Sequence, residues 1–302
     1  MQATHEDLAL LALSLRPNFS WAKVRVRLEE AGSALAVLDA EFDGQLSSGQ
    51  RDAELDSTCK WLKAQNEIGV QVSTILSPIY PTNLRSVHDA PPVIYWQGSL
   101  QETDIKAVAI VGTRQPTDNG TKFAHQLGRL LAEAGTPVVS GLARGVDSIA
   151  MRASLDSGGR TIGIIGTGHG KYYPAENRSL QDHIGQAHLL ISQFAPGATA
   201  SKRSFPMRNV VMSGFSSATV IAEAGETSGT RIQARAAIRH GRPLILNSRL
   251  VDNVEWAREL VEQKYDVQVA HTALEAAGQV ADLHLRREFT GQNWGSGELL
   301  SA

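Results

Sequence analysis

The stretch Ala109–Gly120, AIVGTRQPTDNG, decides how the rest of the chain is read. A short apolar run ends at Gly112. Thr113 and Arg114 follow, then Pro116, Asp118, Asn119 and Gly120, before an amphipathic helical pattern begins. In a strand-to-helix turn of this kind, backbone amides can hold an anion. The stretch therefore predicts a strand, a ligand-facing turn and a helix, in that order. It leaves open whether the anion is a dinucleotide, a free nucleotide or the phosphates of a polymer.

The same texture repeats outward from this point. Apolar runs of strand length occur at Val108–Val111, Pro137–Ser140, Thr161–Ile165, Leu189–Ser192, Thr219–Ala222 and Pro243–Leu246, with amphipathic stretches between them. Phe123, Leu127, Leu130, Leu131 and Ala134 share one helical face before Gly135 ends the helix. Continuous apolar strands alternating with helices predict a parallel sheet covered on both sides. The expected class is α/β, a Rossmann-like, doubly wound, mostly parallel sheet over residues 101–278.

Residues 1–100 read differently, as a small helical domain and a connector. Leu8, Leu11 and Leu15, then Trp21, Val24 and Leu28, recur at helical spacing on either side of Pro17 and Asn18. Ser33 can cap a short helix through Val37 and Leu38, and another helix is expected near Ala53–Ile68. A short strand, VQVSTIL, and a Pro-rich connector, YPTNLRSVHDAPPVIYWQGSL, lead into the α/β region. Such a helical module suits either partner or nucleic-acid binding, or packing support for the next domain. The polar residues 279–302 are expected to form a flexible tail.

Composition narrows the function classes. The chain has 302 residues, 42% hydrophobic and 20% charged, enough for a large core. A net charge of −2 excludes a basic field over the whole protein, yet leaves room for a local basic patch. A single cysteine, Cys59, excludes an internal disulfide and fits a reducing compartment. The opening MQATHEDLAL carries acids where a signal peptide needs positive charge, and no apolar run approaches ~18 residues. A soluble, cytoplasmic protein without membrane contact is expected.

In an open parallel sheet, ligands bind beyond the carboxyl ends of the strands. The segments that follow the strands are Gly112-Thr113-Arg114, then Ser140 to Asp147 (SGLARGVD), then Gly166 to Lys171 (GTGHGK), then the long loop QFAPGATASKRSFPMRN, then EAGETSGTR. Each carries glycine, hydroxyl or cationic residues, and glycine permits close backbone approach. Arg114, Arg144, Lys171, Lys202, Arg203, Arg208 and Arg231 would all lie near one sheet edge, with about half of them expected to face ligand. The long loop interleaves cations with Phe205 and ends on Asn209. A single strand offers phosphates to Lys and Arg and base faces to an aromatic, at roughly 1–3 kcal/mol per stacked base. The alternative for Phe205 is a core residue covering the sheet end.

Three named motifs fail. A dinucleotide fingerprint needs G-x-G-x-x-G after the first strand, but Thr113, Arg114 and Gln115 follow Gly112. Gly170-Lys171 resembles the end of a P-loop, but Ile165 stands at the earlier glycine position and Tyr172 at the hydroxyl position. No G-x-S-x-G elbow exists. The nine histidines show no convincing metal pair, and His169 reads as a solvated loop residue. No metal and no cofactor is expected.

The blocks YPTNL…DAPPVIYWQGSL, VAIVGTR, VVSGLARGVDSIAMRASLDSGGRTIGIIGTG, YYPAENRSL, SFPMRNVVMSGFSSATVIAEAGETSGT and GRPLI run in order from about Tyr80 to Pro243. In this the chain resembles the DNA-processing protein A (DprA/Smf) family. The leading helices resemble the small sterile-alpha-motif-like or helix-hairpin-helix-like domain that precedes the Rossmann domain there. The resemblance implies a protein of natural transformation and DNA recombination that binds and protects incoming single-stranded DNA. It also implies help in loading the RecA recombinase, action as a homodimer, and no catalysis.

By position, Arg114 sits where the family's G-S-R arginine binds DNA, with Thr113 replacing the serine. Lys202 and Phe205 match the lysine and phenylalanine that grip phosphate and base. Gly112, Ser140, Gly141, Gly166 and Arg208 match further pocket positions. With Arg144, Gly168, Lys171 and Asn209 from the loop reading, these form the expected DNA-binding set. Two departures stand out: Val210 replaces a second arginine, and Asn247-Ser248 replaces a Pro-Gly.

Two other functions fit parts of the sequence. LOG-type nucleoside monophosphate glycosidases share the Gly229-Thr230 turn, but Gln233 stands where they carry glutamate, and an amide cannot exchange a proton as a carboxylate can. A nucleotide sensor could use the same pocket for a small signalling nucleotide.

Overall fold

The computed structural model describes residues 3–16, 19–41, 48–263 and 265–290. Helices α1 (His5–Ser14), α2 (Trp21–Ala31), α3 (Ala34–Ala40) and α4 (Ser48–Glu67) come first. Thr4 and Asp7 close α1 with a reciprocal capping box, and Ser33 caps α3 through the Ala36 amide, as its position in the sequence predicts. Leu8, Leu10, Leu13, Val24, Val37, Leu38 and Leu55 form a core of their own between these helices. Pro17 and Asn18, the expected break between the first two helices, lie outside the described residues.

Strand β1 (Gln71–Thr74), helix α5 (Thr82–Arg85) and strand β2 (Val93–Gly98) follow. Then β3 (Val108–Gly112), α6 (Asp118–Glu133), β4 (Val138–Ser140), α7 (Val146–Asp156), β5 (Thr161–Ile165), α8 (Arg178–Ala187) and β6 (Leu189–Ser192) alternate. The chain continues through α9 (Ser204–Phe215), β7 (Ala218–Glu223), α10 (Thr230–Arg239), β8 (Leu244–Asn247), α11 (Ser248–Asn253), α12 (Glu255–Glu262), β9 (Val267–Ala270) and α13 (Ala273–Thr290). The sheet has nine strands in the order β1-β2-β6-β5-β4-β3-β7-β8-β9. Strands β3 to β9 are parallel, whereas β1 and β2 pair antiparallel with their neighbours.

Continuous apolar strands follow from burial on both faces. Ala109 and Val111 of β3 face one core with α9, α10 and α12, while Val108 and Ile110 face the other with α6, α7 and α13. The order reverses between β3 and β7. The chain builds β4, β5 and β6 on one side of β3, then crosses back to place β7 on the other. Ligands bind at such a switch point, beyond the carboxyl ends of the strands.

Two expected boundaries shift. The sheet domain begins before residue 101, because β1, the expected strand in VQVSTIL, and β2 belong to the sheet. The apolar run VIYW sits inside the expected Pro-rich connector, yet β2 pairs with β6 across Tyr95↔Ser192 to Gly98↔Leu189. The expected tail from residue 279 is helical through Thr290, since α13 packs Ala273, Ala276, Val280 and Leu283 into the same core as α6. Residues 291–302 of that tail lie outside the described residues.

Candidate functional site

The turn after β3 begins where Gly112 is forced. A Cβ there would sit 2.6 Å from Val146 Cγ2 and 2.7 Å from the Glu223 carbonyl oxygen. Thr113 N–H donates to that carbonyl (2.8 Å), tying the turn to β7. The start of α6 then differs from the expected anion site. The Glu223 carboxylate accepts from Thr117 N–H (3.1 Å) and Thr117 Oγ1 (2.9 Å). It also packs against Gly120 so closely that no side chain fits there. An internal carboxylate thus occupies the place a ligand anion was expected to take. The turn instead presents the side chain of Arg114, which is exposed.

Arg114 faces the first turn of α9. Its guanidinium carbon lies 5.9 Å from the Phe205 ring centroid, and the Tyr173 ring lies 4.9 Å from the same centroid on a tilted plane. Phe205 is half-buried rather than sealed in the core. Gly166 makes room for it, since a Cβ there would come within 3.0 Å of the ring. Arg114, Lys202, Phe205 and Asn209 line one cavity of 680 Å³ with Gly112, Thr113 and Arg208. The opposite wall is the turn into α10, with Thr227, Ser228, Gly229 and Thr230, and with Gln233 behind it.

Arg208 has a different setting from Arg114. It is 6% exposed, donates to the Ile164 carbonyl (3.3 Å), and lies 3.9 Å from Asp147. Gly141 is required beneath it, because a Cβ would collide with the guanidinium. The Asp147 carboxylate also accepts from Gly141 N–H (3.1 Å) and Ala143 N–H (3.4 Å), so it holds the loop after β4. Burial pushes the Asp147 carboxyl up, opposed by Arg208 and by those amides. Leu142 in this loop has φ +57°, a strained value for a residue with a Cβ, and its side chain is buried.

Other expected residues lie away from the cavity wall. Ser140 is buried and donates to the Ile110 carbonyl (2.6 Å), joining β4 to β3. Arg144 is exposed and pairs with Glu176 at 2.6 Å. Gly168 is pressed against the backbone of Ala195 and Ala198. Lys171 is exposed, and its carbonyl accepts from Gln181 (2.9 Å). Arg231 lines a neighbouring groove instead. The α10 turn is the expected segment EAGETSGTR, whereas Tyr173 was not singled out; an aromatic beside Pro174 in a strand-end loop was the available signal.

His169 corrects an expectation. It is buried, not solvated: Nε2 lies 3.1 Å from the Tyr95 carbonyl and Nδ1 lies 3.2 Å from Gln97 Oε1. Burial pushes its pKa down to about 4. Among the described residues, His88, Asp89 and His240 bring potential metal ligands together, a grouping that spacing alone did not reveal. Both ring nitrogens of His240 already have protein partners, Asp89 at 2.7 Å and Ser213 at 2.9 Å. No helix of the described residues is long and apolar enough to cross a membrane.

The sequence model of the family described as DNA recombination-mediator protein A matches residues 71–274. The chain belongs to that family. The match begins at β1, which agrees with the sheet rather than with a boundary near residue 100. DNA processing protein DprA of Streptococcus pneumoniae is 38% identical over 169 residues, 56% of this chain and 60% of the relative. The chain spans about six-tenths of the length of such curated family members. The X-ray structure of DNA processing protein A from Streptococcus pneumoniae aligns with a TM-score of 0.70 and 28% identity, covering 92% of this chain and 99% of that one. DNA processing protein A from Helicobacter pylori, whose structure concerns its single-stranded DNA binding mode, aligns with a TM-score of 0.62 and 28% identity over 70% of this chain and 96% of that one.

Proposed function

We propose that this chain binds single-stranded DNA in the cavity at the β3/β7 switch point and does no chemistry on it. One observation carries the reading: Arg114, Lys202 and Phe205, far apart in sequence, converge on one 680 Å³ cavity with an open cationic wall. Arg114 and Lys202 suit phosphates, and the half-buried Phe205 with Tyr173 suits the face of a base. The family relationship supports a role in DNA processing, in the cytoplasm. Delivery of the strand to RecA and action as a homodimer belong to the same proposal.

The non-catalytic reading rests on the carboxylates. Among the described residues, Asp147 is the only acid lining the cavity, and it is committed to Arg208 and two loop amides. Glu223 is held by Thr117. Gln233 is buried near Thr219 and carries no charge. Among the described residues, no lining carboxylate is free to act as a general acid or base.

The test is binding of labelled oligo-dT, duplex DNA and AMP across a salt series. With about three to five phosphates neutralised, the log–log slope for single strands is expected at roughly −2 to −3.5. Oligonucleotides of about ten bases should bind far more tightly than AMP, as several phosphates engage at once. Equal affinity for AMP and oligonucleotide would point to a nucleotide sensor instead, and release of free adenine from AMP would point to a glycosidase.

A further inference from the structure

The loop after α5 and the end of α10 meet at a cluster that the cavity does not use. His88 and Asp89 lie between α5 and β2, and His240 is the C-cap of α10. One ligand atom from each of the three lies within 4.8 Å of the other two. His240 Nε2 is 2.7 Å from Asp89 Oδ1, and His88 Nε2 is 3.7 Å from Asp89 Oδ2. The two rings meet edge to face, with centroids 5.7 Å apart. None of the three residues lines the cavity.

Two imidazoles and one carboxylate form a nitrogen–oxygen donor set that suits Zn²⁺ and its first-row neighbours. With metal–ligand bonds of about 2.0–2.1 Å, tetrahedral donors stand about 3.3 Å apart. The separations of 2.7 and 3.7 Å lie on either side of that value, so small side-chain rotations reach it. The outer support is already in place. Ser213 Oγ, buried on α9, lies 2.9 Å from His240 Nδ1 and holds the ring with Nε2 toward Asp89. The hydrogen bond between His240 and Asp89 carries the proton that a metal ion displaces. Burial is graded across the cluster: the His240 side chain is fully buried, Asp89 is 31% exposed and His88 57%. An ion can therefore enter from the His88 side, where water can complete its shell. A hydrolytic Ser-His-Asp triad fits less well, because the fully buried Ser213 cannot reach a substrate and His88 would have no part in it.

We infer that His88, Asp89 and His240 bind one Zn²⁺ ion, with water as the fourth ligand, and that the ion ties the loop of residues 86–90 to the end of α10. The same loop receives the N-terminal helices. Trp21 Nε1 donates to the Ala90 carbonyl (2.8 Å), and the Arg25 guanidinium donates to the His88 carbonyl. The ion thus braces the seat on which α2 docks. It does so whether or not DNA occupies the cavity.

The test titrates the EDTA-treated 302-residue chain with Co²⁺, read by visible absorption, and then displaces the Co²⁺ with Zn²⁺. The wild-type chain is expected to take up one Co²⁺ with the intense bands of a four-coordinate ion. Zn²⁺ at 100 times its dissociation constant should raise the thermal midpoint by about 5 °C. His88→Ala removes an exposed ring, so the midpoint of the metal-free chain should not move. His88→Ala and Asp89→Asn should each lose tenfold or more in Zn²⁺ affinity, since even changes behind the ligands cost about 10–100-fold. His125→Ala, at an exposed histidine of α6, should change nothing. Absence of the Co²⁺ bands, or equal Zn²⁺ affinity in the wild-type chain and in both ligand variants, would overturn the site. An equal loss in His125→Ala would do the same, by showing adventitious binding to surface histidines. Tight binding that left the midpoint unmoved would overturn the bracing role.

Discussion

The N-terminal helices and the carboxyl rim of the sheet both carry several cations, and they use them in opposite ways. Among the helices, Arg16 pairs with Glu54, Arg25 with Glu29, Arg27 with Glu41 and Arg51 with Asp39. At the rim, Arg114 faces the Phe205 ring and Lys202 is exposed. Among the described residues neither has a carboxylate within ion-pair distance. A polyanion approaching the helices must displace an acid from each arginine, whereas at the rim it displaces only water and small ions. A net charge of −2 conceals this division, because it sums over pairs that cancel locally and cations that do not. Arg144, paired with Glu176, shows that position on the rim alone does not decide the matter.

The pairing of Arg208 with Asp147 stands between these two cases, and breaking it is expected to have the largest effect. Both side chains are buried, with 6% and 4% exposure. Asp147→Ala would leave a buried guanidinium without its counter-charge and free the Gly141 and Ala143 amides. A loss of about 3–5 kcal/mol in unfolding free energy is expected from urea denaturation. A loss below 1 kcal/mol would mean that this pair behaves like the exposed ones.

Acid is expected to have the next largest effect, through two histidines of the sheet region. His169 has a folded pKa of about 4, below the ordinary value near 6.5, because burial disfavours the charged ring. The unfolded chain takes up the proton first as pH falls. The stabilisation is therefore complete above about pH 6.5 and is lost as pH drops toward 4, by at most about 3 kcal/mol. His284 is likewise lowered to about 4 by burial and by Arg287 and Lys106, and adds in the same direction. Urea midpoints at pH 7.5 and 5 should differ, and His169→Asn should reduce that difference. A midpoint independent of pH for the wild-type chain would contradict the burial of both rings.

Binding should respond only at the rim. Arg114→Ala and Lys202→Ala are each expected to weaken oligo-dT binding by about 1–3 kcal/mol, as for hydrogen bonds to a charged group, with no change in urea midpoint. Arg51→Ala should leave oligo-dT binding unchanged in the same binding assay. If Arg51→Ala weakened binding as much as Arg114→Ala, the contrast between paired and unpaired cations would carry no function.

Strands and cavity were legible in the sequence to different degrees. Strands β3 to β8 declare themselves because each is a continuous apolar run, buried on both faces. Strand β9 was not, since three of its four residues are only half-buried and Gln268 interrupts the run. Strand β2 was hidden by the prolines that precede it. At the site, the convergence of Arg114, Lys202 and Phe205 was readable because parallel topology brings strand ends to one edge. The capture of Thr117 by Glu223 was not, because the partners are 106 residues apart and either could equally face solvent. Lys171 is exposed outside the lining of the cavity, because the loop reading located its backbone at the rim but not the reach of its side chain.

The smallest expected effect tests the structural side of the contrast. Arg51 and Asp39 form a two-armed pair between α4 and α3, with both nitrogen–oxygen distances at 2.8 Å. The side chains remain 37% and 28% exposed, so water and salt screen the attraction. A double-mutant cycle with Arg51→Ala and Asp39→Ala should give a coupling of about 0.2–1 kcal/mol, toward the upper end because the geometry is two-armed. The coupling should shrink as salt rises. Salt would then weaken both regions, but through different observables: the unfolding midpoint at the helices and the dissociation constant at the rim. A coupling indistinguishable from zero at low salt would mean that these pairs only neutralise charge, with α3 held to α4 by the apolar core of Val37, Leu38 and Leu55 alone.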